Sequence, residues 1–203
     1  MKIGSRTTKT RSARYYRLDI VLMPNQKKHS IIQSNSERAS IIAALQDTLG
    51  DPLRLNDLLI KRLSIHTDLL GFSIKREAIS FVLFSLTYAD AQNFGAHIVN
   101  SLSHFQHTHH IYSPEVALTR ARILELAGPH DALHTITQLH LRHEDWEYDR
   151  YSSIGFYLHG RRGSWMRLWR IAPLFNSDPD TYRQLLNAVQ TRSYRLEDTT
   201  FVT

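Results

Sequence analysis

The most apolar run of the chain, residues 78–86, constrains the fold more than any other segment. It reads Ala-Ile-Ser-Phe-Val-Leu-Phe-Ser-Leu. A short continuous run of this kind, rich in β-branched and aromatic residues, is typical of a strand buried inside a sheet. No apolar run in the sequence reaches the length of a membrane helix. We therefore expect a sheet in which residues 78–86 form a central strand.

Hydrophobic spacing and turn residues predict the elements around this strand. Strand patterns cover residues 15–23, 58–65 and 69–74, and helical patterns cover residues 36–49, 90–106, 114–127 and a stretch that begins at Asp131. Gly71 lies inside a strand pattern, which indicates a bulge or a close approach of another element. A last short helix is predicted to begin at Asp178-Pro179-Asp180.

The resulting order, β-α-β-β-(β)-α, predicts the fold class. It resembles the ferredoxin-like split β-α-β core. We expect an α+β fold with an antiparallel sheet, helices on one face and a helical C-terminal extension. The predicted organisation is a flexible basic arm over residues 1–13, an α+β core over residues 14–127 and the extension over residues 128–203.

The positive charge of the chain is concentrated at its start. Residues 1–28 contain eight Lys and Arg residues against one acid, Asp19, whereas the remaining 175 residues hold 17 basic and 18 acidic residues. A basic arm beside a near-neutral body favours contact with a polyanion, because each neutralised phosphate releases a counterion. The chain has no cysteine, which excludes disulfides, thiolate metal sites and a Cys nucleophile. The expected location is the cytoplasm, with no membrane contact.

A second informative segment lies at residues 149–166, where aromatics, histidines and arginines alternate with small residues. It contains Tyr151-Ser152-Ser153, then Tyr157 and Gly160, then Trp165-Met166. This pattern resembles the C-terminal signature of the REP-associated tyrosine transposases, a branch of the HUH single-strand DNA transposases. The resemblance implies a HUH-type sheet, a metal held by two histidines on a central strand, and a nucleophilic tyrosine on the helix that follows.

The catalytic groups of that family are missing at the matching positions. By spacing, the two histidine positions are Ala78 and Ser80, and the apolar residue between them is Ile79. Neither a methyl group nor a lone hydroxyl replaces an imidazole as a metal ligand. The nucleophile position falls at Phe105, which keeps the ring and lacks the attacking oxygen. We expect Ala78, Ser80 and Phe105 to lie around one empty site, with no metal or other cofactor.

Two other readings of the catalytic positions stay open at this point. Leu22-Met23-Pro24-Asn25 also matches the residues that precede the histidines, and there the ligand positions would be Gln26 and Lys28. A His-rich segment over residues 97–110 contains His107-Thr108-His109, and Tyr112 follows it. These residues define an alternative in which a displaced histidine cluster holds a metal and Tyr112 attacks.

The predicted function is that of a domesticated, transposase-like protein that binds structured or single-stranded DNA without cleaving it, as a monomer or homodimer, with RNA not excluded. Arginines and aromatics hold such strands by phosphate neutralisation and base stacking. The residues expected to contact DNA are Arg11, Arg14, Tyr16, Arg17, Lys27, Lys28, Arg161, Arg162, Trp165 and Arg167. Trp169, four residues after Trp165, is expected to pack on the core. The alternatives are the metal-dependent nuclease described above and a protein-interaction module without nucleic acid.

Overall fold

A four-stranded antiparallel sheet organises the fold. The structure, a computed structural model, describes residues 14–21, 31–49, 67–109, 120–142 and 145–198. The strands are β1 (Arg14–Val21), β2 (Thr67–Ile74), β3 (Ala78–Ser85) and β4 (Arg120–Leu126), in the spatial order β2-β3-β1-β4. The α+β class is confirmed, and β3 is an interior strand, as its apolar sequence predicts. The strand predicted at residues 58–65 lies outside the described residues.

Five α-helices complete the described part of the chain. They are α1 (Asn35–Leu49), α2 (Tyr88–Thr108), α3 (Pro129–His140), α4 (Ile154–Leu158) and α5 (Pro179–Asp198), and short 3-10 turns cover Trp146–Tyr148, Leu168–Arg170 and Ala172–Phe175. Two β-α-β units are interleaved, because β3 lies between β1 and β2 while β1 lies between β3 and β4. Among the described helices, none is long and apolar enough to cross a membrane.

The first face of the sheet is apolar and is covered by α1 and α2. Leu18 and its cross-strand neighbour Phe81 lie on this face, and both side chains are fully buried. Phe94 of α2 packs edge-on against Phe81, with ring centroids 5.3 Å apart. A capping box at Thr87 and Asp90 starts α2 by satisfying backbone N–H groups that would otherwise lack partners.

The second face carries the alternate residues of each strand and is crossed by α3. Gly71 of β2 lies opposite Val82 on this face, and a Cβ atom at Gly71 would come within 2.8 Å of Ile136 in α3. The two helices of the predicted core, α1 and α2, thus lie on one face, and α3, the first helix of the predicted C-terminal extension, covers the other. The apolar residues Leu133, Ile136 and Leu139 of α3 need a surface to bury against, and the second face provides it.

Strand β4 corrects the helix predicted over residues 114–127. Residues 120–126 read Arg-Ala-Arg-Ile-Leu-Glu-Leu, which are good helix formers by intrinsic propensity. In the structure they pair with the outer edge of β1, from Tyr15 opposite Leu126 to Val21 opposite Arg120. Tertiary pairing overrides a local preference of this size, because it satisfies a complete row of backbone groups on β1.

A buried carboxylate joins α1 to α2. Glu37 is fully buried and accepts hydrogen bonds from the backbone N–H groups of Gln33 and Ser34 at 2.8 and 2.7 Å. Its other oxygen accepts from the Gln106 amide in α2 at 2.6 Å. This arrangement caps α1 and fixes its position beside α2, since a buried polar group must be hydrogen-bonded.

Replacing Gly71 by alanine tests the contact between α3 and the sheet. Because the new Cβ atom would meet Ile136 at 2.8 Å, we expect Gly71→Ala to lower the free energy of unfolding by about 1–3 kcal/mol. Gly128 is the matched control, since a Cβ atom there meets nothing within 4 Å and its backbone is extended. Urea denaturation measures both variants. Ile136→Ala removes all the side-chain atoms that the new Cβ atom would meet, so Gly71→Ala should cost less in that background than in the parent. A Gly71→Ala protein as stable as the parent would contradict the contact.

Candidate nucleic-acid interface

The segment that resembles the transposase signature seals the outer edge of β2. Backbone hydrogen bonds join Ile74 N–H to Tyr151 O and Ser153 N–H to Phe72 O, each at 2.9 Å, and Arg167 N–H to Leu69 O at 2.9 Å. The Ser153 hydroxyl accepts from Phe72 N–H at 2.9 Å. The conspicuous small polar residues of the segment thus satisfy backbone groups that an uncovered sheet edge would expose.

The aromatic residues of the same segment form part of the core. Tyr157 is buried and donates its hydroxyl proton to the Leu70 carbonyl at 2.7 Å. Trp165 is only 7% exposed and packs between Phe72 and Phe156, with ring centroids 5.6 and 5.2 Å away. Trp165 was expected to contact DNA, but its ring packs in the core, where little of its surface is open to a ligand.

His140, the last residue of α3, connects this segment to the C-terminal helix. Its ring is fully buried, with Nδ1 2.8 Å from the Tyr182 hydroxyl of α5 and Nε2 2.7 Å from the Ser153 hydroxyl. Burial lowers the pKa of His140 from 6.5 to about 3. The imidazole is therefore neutral at physiological pH, when one nitrogen donates and the other accepts.

The loop after α4 carries two exposed arginines, as the sequence predicts. Arg161 and Arg162 are both exposed, and Gly160 adopts a left-handed backbone with φ of +61°. Arg161 N–H donates to the Gly155 carbonyl at 3.0 Å, and its guanidinium lies 5.8 Å from the Phe156 ring centroid. The loop thus has a defined backbone, with one side of the Arg161 guanidinium near Gly155 and Phe156 and both arginine residues exposed.

Polar side chains gather on the second face of the sheet into a unit that we call the sheet-face cluster: Arg17, Asp19, Ser80 and Arg142. Ser80 donates to Asp19 at 2.6 Å and accepts from Arg142 at 3.1 Å. The other Asp19 oxygen pairs with Arg17 at 2.7 Å. One guanidinium thus pairs with the carboxylate directly and the other is linked to it through Ser80, so the cluster has two basic side chains and one acidic one.

Further polar groups lie next to the sheet-face cluster. The register places Arg122 of β4 opposite Asp19, where it is exposed on the same face. Burial, followed by the repulsion of Arg17, lowers the pKa of Arg142, but an arginine stays protonated at neutral pH. Ser73 lies opposite Ser80, and its buried hydroxyl has no hydrogen-bond partner among the described residues.

The three degenerate catalytic positions do not come together. Ala78 and Ser80 share the second face, as expected for residues two apart on a strand. Phe105 lies on α2, which covers the first face, and its ring stacks on His109 with centroids 4.0 Å apart. The prediction that Phe105 lines the same site as Ala78 and Ser80 is therefore wrong. The spacing along the chain correctly places residue 105 on the helix that follows β3. Spacing alone does not determine which face of the sheet that helix covers.

The histidines of residues 97–109 have ordinary structural surroundings. His97 forms a 2.8 Å hydrogen bond with Thr48, and burial lowers its pKa. His104, His107 and His109 are exposed on the last turns of α2. Among the residues that the structure describes, no group of three or more His, Asp or Glu side chains is placed to hold a metal ion. His110 and Tyr112 lie outside the described residues.

The remaining predicted contact residues have varied surroundings. Tyr16, which was expected to contact DNA, is 3% exposed and packs against Tyr88 on the first face, so little of its ring is open to a ligand. Arg14 is exposed and forms an ion pair with Glu125 of β4. Arg167 lies 3.7 Å from the Asp68 carboxylate. The remaining members, Arg11, Lys27 and Lys28, lie outside the described residues.

Sequence reasoning missed Arg142 and misjudged Trp169. Asp19, Ser73 and Ser80 are single polar residues within apolar strands, and this was the available signal for a polar site on the second face. Trp169 was expected to pack on the core and is instead 63% exposed. Comparison with known proteins adds no identification: no family model, curated protein or solved structure matches the chain.

The buried His140 predicts how stability depends on pH. The pKa of His140 in the folded chain lies below its unfolded value of 6.5. Between these two values the imidazole is protonated in the unfolded chain and neutral in the folded chain. The contribution of His140 to the free energy of unfolding is fully present above pH 6.5. It falls as the pH is lowered from 6.5 towards 3, by about 1.4 kcal/mol per pH unit. Urea unfolding at pH 7.5, 6.0 and 5.0 measures the slope. His140→Gln should flatten it, whereas His104→Gln, at an exposed position, should not; equal slopes in all three proteins would refute the assignment.

Proposed function

We propose that this chain is a transposase-derived protein that binds structured or single-stranded DNA without cutting it. The proposal includes a ferredoxin-like fold of the transposase type. It is supported by the order of the described elements, β-α-β-β-α-β, and by the strand order β2-β3-β1-β4. RNA of similar structure would present the same phosphates and unpaired bases. The oligomeric state in this proposal is a monomer or homodimer.

The sheet-face cluster carries the proposal. At the two positions where the resemblance expects histidine ligands, the chain has the methyl group of Ala78 and the hydroxyl of Ser80. That hydroxyl donates to Asp19 and accepts from Arg142. A guanidinium attracts and hydrogen-bonds a phosphate, but it has no coordination site on which a water is activated as on a metal ion. The geometry therefore favours holding a phosphate over cleaving it.

The position of Phe105 supports the same conclusion. A nucleophile and the groups that polarise its phosphate must meet within a few ångströms of one another. Phe105 lies on α2, and α2 packs on the face of the sheet opposite to Ser80. A hydroxyl restored at residue 105 would therefore lie on the wrong side of the sheet from the cluster.

Fluorescence anisotropy with a dye-labelled DNA hairpin bearing a single-stranded tail tests the role of the cluster. The protein should bind in the presence of EDTA, and Arg17→Gln or Arg142→Gln should weaken binding and reduce the slope of log K against log salt by about one each. Arg183→Gln is the matched control for Arg17→Gln, because each arginine is partly buried and paired with carboxylates: Arg17 with Asp19, and Arg183 on α5 with Glu147 and Asp180. Its salt slope should equal that of the parent.

The two alternatives give different results in the same experiments. A covalent protein–DNA adduct that forms with manganese and disappears in Tyr112→Phe would establish the metal-dependent nuclease. An absence of DNA binding at physiological salt would favour a protein-interaction module. Loss of DNA binding on addition of EDTA would also contradict binding that does not depend on a metal ion.

The basic arm and the Arg161–Arg162 loop should contribute in different ways. Deleting residues 1–13 removes four basic side chains, Lys2, Arg6, Lys9 and Arg11, and should weaken binding to all DNA sequences while flattening the salt slope. Replacing both loop arginines with lysine keeps the charge but loses the bidentate fork. It should reduce the preference between hairpins by roughly 1–3 kcal/mol while leaving the salt slope unchanged. Parent-like affinity in the truncated protein with both arginines changed to alanine would refute this arrangement.

A further inference from the structure

The indole of Trp169 is exposed. It lies at the end of the second face that is far from the C-terminus of α3. Trp169 is in the middle of the 3-10 turn Leu168–Arg170 and is 63% exposed, whereas Trp165, four residues earlier, is buried. A tryptophan with most of its surface in water contributes little to the core. Its location therefore calls for an explanation other than packing.

The indole rests on a stack that is already built. The Arg170 guanidinium lies 4.3 Å from the centre of the Trp169 ring and 3.7 Å from the centre of the Phe84 ring. Asp68 accepts a hydrogen bond from Arg170 at 2.5 Å and lies 3.7 Å from Arg167. Phe84 in turn packs edge-on against Tyr15, with ring centroids 5.1 Å apart. The order Phe84–Arg170–Trp169 thus extends from the sheet to the surface.

We propose that Trp169 is a stacking platform for an unpaired base of a single-stranded nucleic acid. The inference rests on the proposed function and names the form of nucleic acid that this surface selects. A base is planar and carries a π-face, so it continues the stack of alternating planar groups. The indole is held from below before the ligand arrives, which reduces the entropy lost on binding.

The charges around the indole favour a nucleic acid over an apolar protein segment. Arg167 and Arg170 face one carboxylate, Asp68, so the rim of the platform carries a net positive charge. Phosphates that flank a stacked base are attracted to such a rim. The centre of a protein–protein interface, by contrast, is depleted of charged residues.

Substitutions of Trp169 separate the platform from the rest of the DNA-binding surface. We use a dye-labelled single-stranded thymidine oligonucleotide and a fully paired duplex of the same length. Trp169→Leu keeps an apolar side chain and removes the π-face, so affinity for the single strand should fall roughly 5- to 100-fold, while affinity for the duplex stays the same. Tyr88→Leu is the matched control, because Tyr88 is also exposed, at 40%, but packs against Tyr16 of the first face.

Two further measurements examine the stack itself. Intrinsic fluorescence should be quenched on addition of the oligonucleotide, and most of this quenching should disappear in Trp169→Phe, since a stacked base quenches the indole beneath it. Arg170→Lys keeps the charge and removes the planar guanidinium. It should weaken binding of the single strand with an unchanged salt slope, as expected for a positioning residue.

The outcomes distinguish this inference from the proposed function. If the protein binds the oligonucleotide and Trp169→Leu binds equally well, the platform is refuted while DNA binding stands. An equal loss on the duplex would also refute selection of unpaired bases. If the parent binds neither probe at physiological salt, both proposals fail. Self-association of the parent that Trp169→Leu abolishes, measured by sedimentation, would instead assign the indole to a contact between two copies of the chain.

Discussion

One buried imidazole determines how the second half of the chain meets the sheet. His140 joins the end of α3 to Tyr182 of α5 and to Ser153 at the edge of β2. A neutral ring has one donor and one acceptor, and both nitrogens are occupied here. Arg142 follows two residues later. The hydrogen bonds of His140 therefore also position the backbone from which the Arg142 side chain extends to Ser80. The sheet edge and the sheet-face cluster thus depend on the same side chain.

On the second face of the sheet, polar side chains occupy several positions where apolar side chains would otherwise pack. Asp19, Ser73 and Ser80 occupy strand positions whose neighbours are apolar, and the Ser73 hydroxyl has no partner among the described side chains. Unsatisfied or charged groups at such positions reduce stability compared with apolar residues. Departures from the pattern expected of a sheet are characteristic of places where a protein binds something. Arg17, Arg122 and Arg142 give this place a positive charge.

The sequence predicted those elements whose signals are local. The apolar run of β3, the helical spacing of α2 and the glycine at residue 71 each depend on residues close together in the sequence, and the structure contains all three features. Strand β4 was mistaken for a helix because its pairing with β1 joins segments about a hundred residues apart, and helix propensity carries no information about such pairing.

The candidate site was less accessible to sequence reasoning, for the same physical reason. Trp165 and Trp169 are four residues apart, which on a helix would give them the same face. The chain instead hydrogen-bonds to β2 at Arg167 and then forms a 3-10 turn, so one ring enters the core and the other faces solvent. Arg142 meets Ser80 across 62 residues of sequence, and no local pattern marks that contact. Only the isolated polar residues of the strands indicated that a polar site existed.

The covering of β2 by a distant segment has a consequence for the order of events during synthesis. The hydroxyl of Ser153 reaches the backbone of Phe72 from 81 residues further along the chain. At a translation rate of about 5–20 residues per second, β2 emerges roughly 4–16 s before the residues that cover its edge. During that interval the nascent sheet presents an unpaired strand to its surroundings, and neighbouring nascent chains present the same strand. The interval is therefore when the edge of β2 is open to joining with copies of the same chain.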